Sequence, residues 1–458
     1  MLFLDNFRVV DESSDFFGSV VVENGFIKEV FRRGERPTGG PADDPASDWA
    51  ARPRAAADMV LEGGCPGNGG LVLMPAFVDL HAHFREPGCG EVSAKETLES
   101  ACLAAVAGGY GTVVSMANTL PPVDSVGRAA ALKNRADALG LIDLCPALSL
   151  SRGMEGTELS EIIKLPDRGG EHFVRLLSED GRDMARDDLF LAAFREARRA
   201  GLPVSCHCDL GGEYAAVRRA IELAARAGAR LHIAHVSTKE AVDLIRGLKA
   251  RRNGTDKAAP AERTAGEGFP PVENEGFELS CEITPHHLAL DEKDVSAAFG
   301  KVAPPLGSGA DRLALLEALA DGTADAVATD HAPHTRADKA SGAPGFSGLE
   351  TAFGVCLGVL AAPEVPAGPG GKLSLKKLSS LMSASPARIL GFGGGPLGRG
   401  KIAPGYRADL VIVDTEAAWT VDPGNFRSRG KNSPFEKREL RGKVIMTIHR
   451  GRVVFDGR

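Results

Sequence analysis

Two histidines one residue apart, His81 and His83, close an apolar run within residues 71–88, LVLMPAFVDLHAHFREPG. Val, Leu and Phe favour a buried strand. Side chains alternate faces along a strand, so both imidazoles project to the same side. Two imidazoles on one face at a strand end make half of a metal site. The alternative is a pair of packed core histidines; His-Ala-His after such a run favours ligation. Asp180, His207, His235 and Asp330 each follow a further strand-like stretch. Four imidazoles and two carboxylates suit a pair of borderline-hard divalent ions, zinc first. A carboxylate between the ions can bridge them, and a shared water is acidified by both charges. Even one zinc brings a bound water to a pKa of about 7. The product is a bridging hydroxide, a nucleophile at neutral pH. Asp330 is the carboxylate placed to take its proton and pass it to a leaving nitrogen. That chemistry is hydrolysis, or its reverse, at an amide-like C–N bond.

These residues need a frame that brings them together. From residue 71 the pattern alternates strand and helix through eight units. The strands are expected at 71–83, 112–116, 141–148, 173–177, 203–206, 230–234, 278–283 and 324–328. Eight such units imply a closed parallel α/β barrel of the TIM (β/α)8 type, and the polar candidates fall at C-terminal strand ends, where barrel active sites lie. The N-terminal stretch carries a hairpin signal at Asn24-Gly25, and strand patterns return at 408–414 and 444–458. Residues 1–70 and 393–458 are therefore expected to form a small β-sandwich domain from both termini. The barrel would span 71–392, with an insertion rich in Gly, Ala, Glu and Pro at 253–275 and a surface loop at 38–57.

Composition narrows the function classes. The chain has 458 residues, 43% hydrophobic and 25% charged, with a net charge of -7 and no long basic stretch, which argues against nucleic acid as a partner. The most apolar stretch, 101–117, contains three glycines and reads as helix end, turn and strand rather than a membrane span. The N-terminus lacks the pattern of a signal peptide. The eight cysteines are scattered and read as reduced thiols of a cytoplasmic protein.

Six separated segments, VDLHAHFREPG, MANTLPP, SEDG, HIAHVSTKE, EITPHHL and ATDHAPH, together resemble the amidohydrolase superfamily and, more closely, the class I dihydroorotases. The resemblance implies His81, His83 and Asp330 on one zinc, His207 and His235 on a second, and Asp180 bridging. Related enzymes place a carboxylated lysine at the bridge; here the nearest lysine-like position is Arg175, which cannot be carboxylated. The implied activity is the reversible hydrolysis of L-dihydroorotate to N-carbamoyl-L-aspartate in pyrimidine synthesis. The substrate has a carboxylate outside its ring. Arg85 can meet it with a planar fork, and Asn118 and His334 can hydrogen-bond to it. Gly345 and Phe346, in a glycine-rich loop, would add backbone contacts by position. A homo-oligomer, and aspartate transcarbamoylase as a partner, are further expectations. The alternatives are another cyclic amidase, of allantoinase or hydantoinase type, and a non-catalytic dihydroorotase-like partner of the transcarbamoylase. The chain departs from the family pattern at Ala303 and Gly307, where Asn and Arg are usual, at Asp209, where Glu is typical, and in a short segment between His207 and His235.

Plainer readings stand beside these. Arg85 could pair with Glu86 or Glu91 on the surface. Asn118 and Asp180 could be turn residues, and Glu179 competes with Asp180 for the bridge. His286 and His287 are expected to pack, or to sit behind the ligands, as is His331. His172, His232 and His449 are expected to be structural or exposed.

Overall fold

The computed structural model describes residues 1–33, 54, 56–64, 70–88, 94–170, 172–252, 276–295, 300–362, 365 and 373–458. The insertion expected at 253–275 and most of the loop expected at 38–57 lie outside the described residues.

Three strands, β1 (Leu2–Val10), β2 (Asp15–Glu23) and β3 (Phe26–Arg32), form an antiparallel meander. Asn24 and Gly25 both have positive φ at its second turn, as the Asn-Gly pair requires. Two further strands, β4 (Met59–Glu62) and β5 (Leu71–Pro75), run parallel to β1.

The barrel strands follow: β6 (Phe77–Ala82), β7 (Tyr110–Ser115), β8 (Asp143–Pro146), β9 (Leu177–Ser178), β10 (Pro203–Cys206), β11 (Arg230–Ile233), β12 (Glu278–Ile283) and β13 (Ala326–Val327). They make a three-stranded and a five-stranded parallel sheet. Single parallel bridges, Leu148 to Leu177 and Ala82 to His331, join the two sheets at both edges. These bridges carry the strand order around the barrel without a continuous ladder, and β9 and β13 are shorter than their apolar patterns. Beyond β13 a side chain replaces the ladder. Buried Asp79 on β6 accepts from Thr329 N–H at 3.0 Å and from its hydroxyl at 2.6 Å. Helices such as Val126–Leu139, Asp187–Ala200 and Glu213–Ala227 lie between successive strands and end at glycines with φ between 65° and 72°, as helix C-termini favour.

The C-terminal strands β14 (Leu410–Thr420), β15 (Glu439–His449) and β16 (Arg452–Asp456) join the first sheet through the β14–β5 pairing. The eight terminal strands enclose an apolar core that includes Leu4, Val20, Leu73, Leu410 and Ile448. The run 71–83, expected as one strand, is therefore two: β5 belongs to the terminal sheet and β6 begins the barrel. An apolar run buried on both sides of the crossing carries no sign of which sheet it joins. The crossing is held by Ser383, whose hydroxyl lies 3.2 and 3.1 Å from the carbonyls of Pro75 and Ala76, in the π-helical turn Ser380–Ala384.

Among the described residues no helix is long and apolar enough to cross a membrane. The six described cysteines are free and buried.

Candidate metal and substrate site

The six expected ligands meet at the C-terminal mouth of the barrel. Asp180, just after β9, stands at the centre. Its Oδ1 lies 3.2 Å from His81 Nε2, 3.6 Å from His207 Nδ1 and 3.6 Å from His235 Nε2; its Oδ2 lies 3.5 Å from His83 Nε2. Asp330 Oδ1 lies 3.1 Å from His83 Nε2 and 3.7 Å from His81 Nε2. His207 Nδ1 and His235 Nε2 are 3.0 Å apart. Two donors each about 2.1 Å from one tetrahedral ion stand about 3.4 Å apart, so the spacings suit shared cations. Two groups could each hold an ion: His81, His83 and Asp180, and Asp180, His207 and His235. Nε2 of His81 and Oδ1 of Asp180 are buried without a well-formed hydrogen bond. Such orphaned atoms are costly unless something coordinates them. The donor set fits divalent metal.

The electrostatics agree. Burial alone would push the Asp180 carboxyl up; the imidazoles of His81, His207 and His235 outweigh it and hold it well below the usual carboxylate range. Burial opposes charge on His207 as well, yet Asp180 pushes its pKa up to about 9. The cluster draws positive charge.

The ligands are oriented from behind. His81 Nδ1 meets Glu282 Oε1 at 3.0 Å, and Glu282 Oε2 meets His232 Nε2 at 3.0 Å. His232 Nδ1 in turn lies 2.8 Å from Ser280 Oγ. His83 Nδ1 lies 2.9 Å from Asn118 Oδ1. A carboxylate or amide oxygen on Nδ1 fixes the tautomer that leaves Nε2 free to ligate. His207 uses Nδ1, with Nε2 3.2 Å from Asp209 Oδ2, so the Asp at this position still reaches. Glu282 escaped the sequence reading, and His232, read as structural or exposed, is a buried part of this relay. The one signal was a second carboxylate at the buried end of β12, beside Cys281 and Ile283. Glu179, the competing bridge candidate, turns its carboxylate to the N–H groups of Leu150 and Ser151, accepting at 2.8 and 3.0 Å. Arg175 stacks its guanidinium on Phe392 at 4.6 Å. His331 is held by Glu96 at 3.3 Å.

A cavity of about 190 Å³ opens beside the ligands; Asp180 and Asp330 line it together with Arg85, His334, Ala303 and Gly345. Glu86 is engaged by Arg135 and by Leu98 N–H. Among the described residues no carboxylate lies within ion-pair distance of Arg85; its neighbours are His334 Nε2 at 3.3 Å and the Pro333 carbonyl at 3.4 Å. Glu91 lies outside the described residues. Burial and Arg85 push the His334 pKa down to about 3, so its ring is neutral, and it meets the Pro344 carbonyl at 2.8 Å. Three site residues, Arg85, His235 and Asp330, have φ of 59°, 31° and 44°. Left-handed backbone costs a non-glycine residue about 1–3 kcal/mol and gathers at functional sites.

Of three further expected substrate contacts, Asn118 and Gly345 line the cavity with their polar groups already engaged, and the Phe346 side chain does not line it. Both ends of the Asn118 amide are engaged: Nδ2 donates to the Asp180 Oδ2 at 3.0 Å while Oδ1 holds His83. Gly345 lines the cavity, but its N–H donates to the Lys301 carbonyl and its own carbonyl accepts from Lys339 and Asn432. Phe346 is buried among Leu290, Val302 and Phe435, away from the cavity. Local sequence cannot show that loop backbone groups already have partners.

The amidohydrolase family model matches residues 72–454. A dihydroorotase of Anaeromyxobacter dehalogenans (strain 2CP-1 / ATCC BAA-258) is 36% identical over 491 residues, covering 100% of this chain and 98% of its own. One from Clostridium botulinum (strain Eklund 17B / Type B) is 32% identical, covering 99% of each chain. Among solved structures, the L-hydantoinase (dihydropyrimidinase) from Arthrobacter aurescens superposes with a TM-score of 0.74 at 22% identity, over 99% of this chain and 96% of its own. That likeness shows the fold: a TIM barrel with a terminal β-sandwich domain. The chain therefore belongs to the amidohydrolase family and, within it, to the family of the dihydroorotases.

Proposed function

We infer that this protein is a dihydroorotase, a metal-dependent cyclic amide hydrolase that interconverts L-dihydroorotate and N-carbamoyl-L-aspartate. One observation carries the reading: a guanidinium with no carboxylate partner among the described residues, Arg85, shares a small cavity with Asp180 and Asp330. A half-buried guanidinium with no carboxylate in ion-pair contact keeps its donors open to an anionic ligand. The carboxylate outside the dihydroorotate ring supplies that charge; hydantoin and allantoin bring no such group.

In this reading His81, His83 and Asp330 would hold one zinc ion and His207 and His235 a second, with Asp180 available to both. The ions would supply Lewis acidity, acidifying water and polarising the ring carbonyl. The remaining steps fall to the chain. Arg85 anchors the carboxylate and sets which ring bond faces Asp330. Asp330 takes the proton of the attacking water and delivers it to the departing ring nitrogen. Asn118 keeps His83 and Asp180 in register. A non-catalytic scaffold would be expected to have lost ligands, whereas all six donors are present and converge.

The test is turnover of L-dihydroorotate beside hydantoin and allantoin, by wild type and Arg85→Ala. Dihydroorotate is expected to be preferred, and Arg85→Ala to erase the preference. Equal turnover of all three by wild type would contradict the reading.

A further inference from the structure

The substrate side of the cavity is held by a residue that is not part of the barrel. Asn432 lies between β14 and β15, 4% exposed. Its Oδ1 accepts from the backbone N–H of His334 at 3.3 Å, and its Nδ2 donates to the Gly345 carbonyl at 3.0 Å. Its own carbonyl accepts from Ser347 N–H at 2.9 Å. One side-chain amide thus ties together two cavity residues, 98 and 87 positions away in sequence. The segment is anchored to the barrel mouth. Val421, Phe426 and Phe435 pack with Phe346 and Val302 in one apolar cluster, and Ser347 Oγ donates to the Gly430 carbonyl at 2.7 Å. From the barrel side Lys339 reinforces the same loop, its ammonium reaching the carbonyls of Lys301, Ala343 and Gly345 at 2.9, 3.0 and 3.0 Å.

We propose that Asn432 is a positioning residue for substrate binding: by holding His334 and Gly345 together it lets the terminal domain set the shape of the substrate side without touching the metal ligands. The inference rests on the substrate-side assignment of Arg85 and His334 made above. A glycine is required at 345 for the same fit, since its φ is 131° and a Cβ would stand 2.5 Å from that of Ala332.

The test uses the metal-loaded full chain and Asn432→Ala. With both side-chain hydrogen bonds of Asn432 gone, the KM for dihydroorotate is expected to rise by about 10-fold, equal to ~1.4 kcal/mol of binding, with kcat changed less than about 3-fold and metal content unchanged. Amide exchange at Gly345 and Ser347 is expected to speed up while exchange in β10 and β11 stays as in wild type. An unchanged KM and unchanged exchange, or metal lost in step with activity, would overturn the proposal. If Asn432→Ala does not fold, Asn432→Asp keeps the shape and the acceptor but removes the donor to Gly345; its loop exchange must rise. Wild type inactive on dihydroorotate would refute the assigned activity, and the exchange comparison would still decide what Asn432 does.

Discussion

The two sides of the cavity are built by different means. On the metal side, side chains orient side chains: Glu282 holds His81, Asn118 holds His83 and Asp180, Asp209 holds His207, and all of them sit at barrel strand ends or in the loops that follow. On the substrate side, backbone and distant residues do the work. Pro333 and Pro344 carbonyls meet Arg85 and His334, and Asn432 and Lys339 meet Gly345. The metal side is a property of the barrel alone; the substrate side borrows from the terminal domain. Chemistry and specificity should therefore be separable by mutation.

The sharpest break is expected at the centre of the metal side. Asp180→Asn keeps one oxygen at the centre of the four imidazoles but removes its charge, leaving the Asp330 carboxylate beside His81 and His83 alone. Its zinc content by mass spectrometry should fall below that of wild type and kcat/KM by at least about 10³; retention of both would remove Asp180 from the bridge. On the other side, Arg85→Ala should cost about 100-fold in kcat/KM, the loss of a buried charged hydrogen bond. Steady-state kinetics should show it mainly as a raised KM, with zinc retained. A loss of metal there would merge the two sides. Behind the ligands, Glu282→Gln should weaken zinc binding by about 10–100-fold in a competitive chelator titration, with activity restored by excess zinc. Full activity at limiting zinc would show that the relay is idle.

The smallest effect concerns the seam that carries the terminal domain. Asp143 at the start of β8 pairs with Arg399 and Arg407, and Asp409 with Arg407 and His449. Burial would raise the Asp409 carboxyl, but His449 and the two arginines outweigh it and bring it down to about 2 from 3.8. A carboxyl lowered on folding adds stability above its unfolded pKa and loses it as pH falls from about 4 towards 2, here ~2 kcal/mol. The melting temperature should drop more steeply over that interval in wild type than in Asp409→Asn. Equal slopes would remove Asp409 from the seam.

What the sequence made legible follows the same division. His81 and His83 could be read because ligands must be particular residue types and strand alternation places them on one face. The choice between Asp180 and Glu179 stayed open in the sequence, because both follow the short strand β9; only the fold shows Glu179 turned towards Leu150 and Ser151. Asp79 was hidden inside the apolar strand β6, where a lone carboxylate has no periodic signature, and Glu282 shares β12 with Glu278 and Ser280, so the sequence does not mark which of them is buried. Asn432 was illegible because its partners lie in another part of the fold, and nothing in KNSPF names them. The crossing at Ala76 was missed because both sheets bury the same apolar run.

The most direct measurement is a zinc titration of the metal-free protein, following bound zinc and dihydroorotate turnover in the same sample. Zinc binding and activity are both expected to level off at about two ions per chain. Full turnover without zinc, or saturation of binding and activity at a single ion, would contradict a carboxylate shared between two cations.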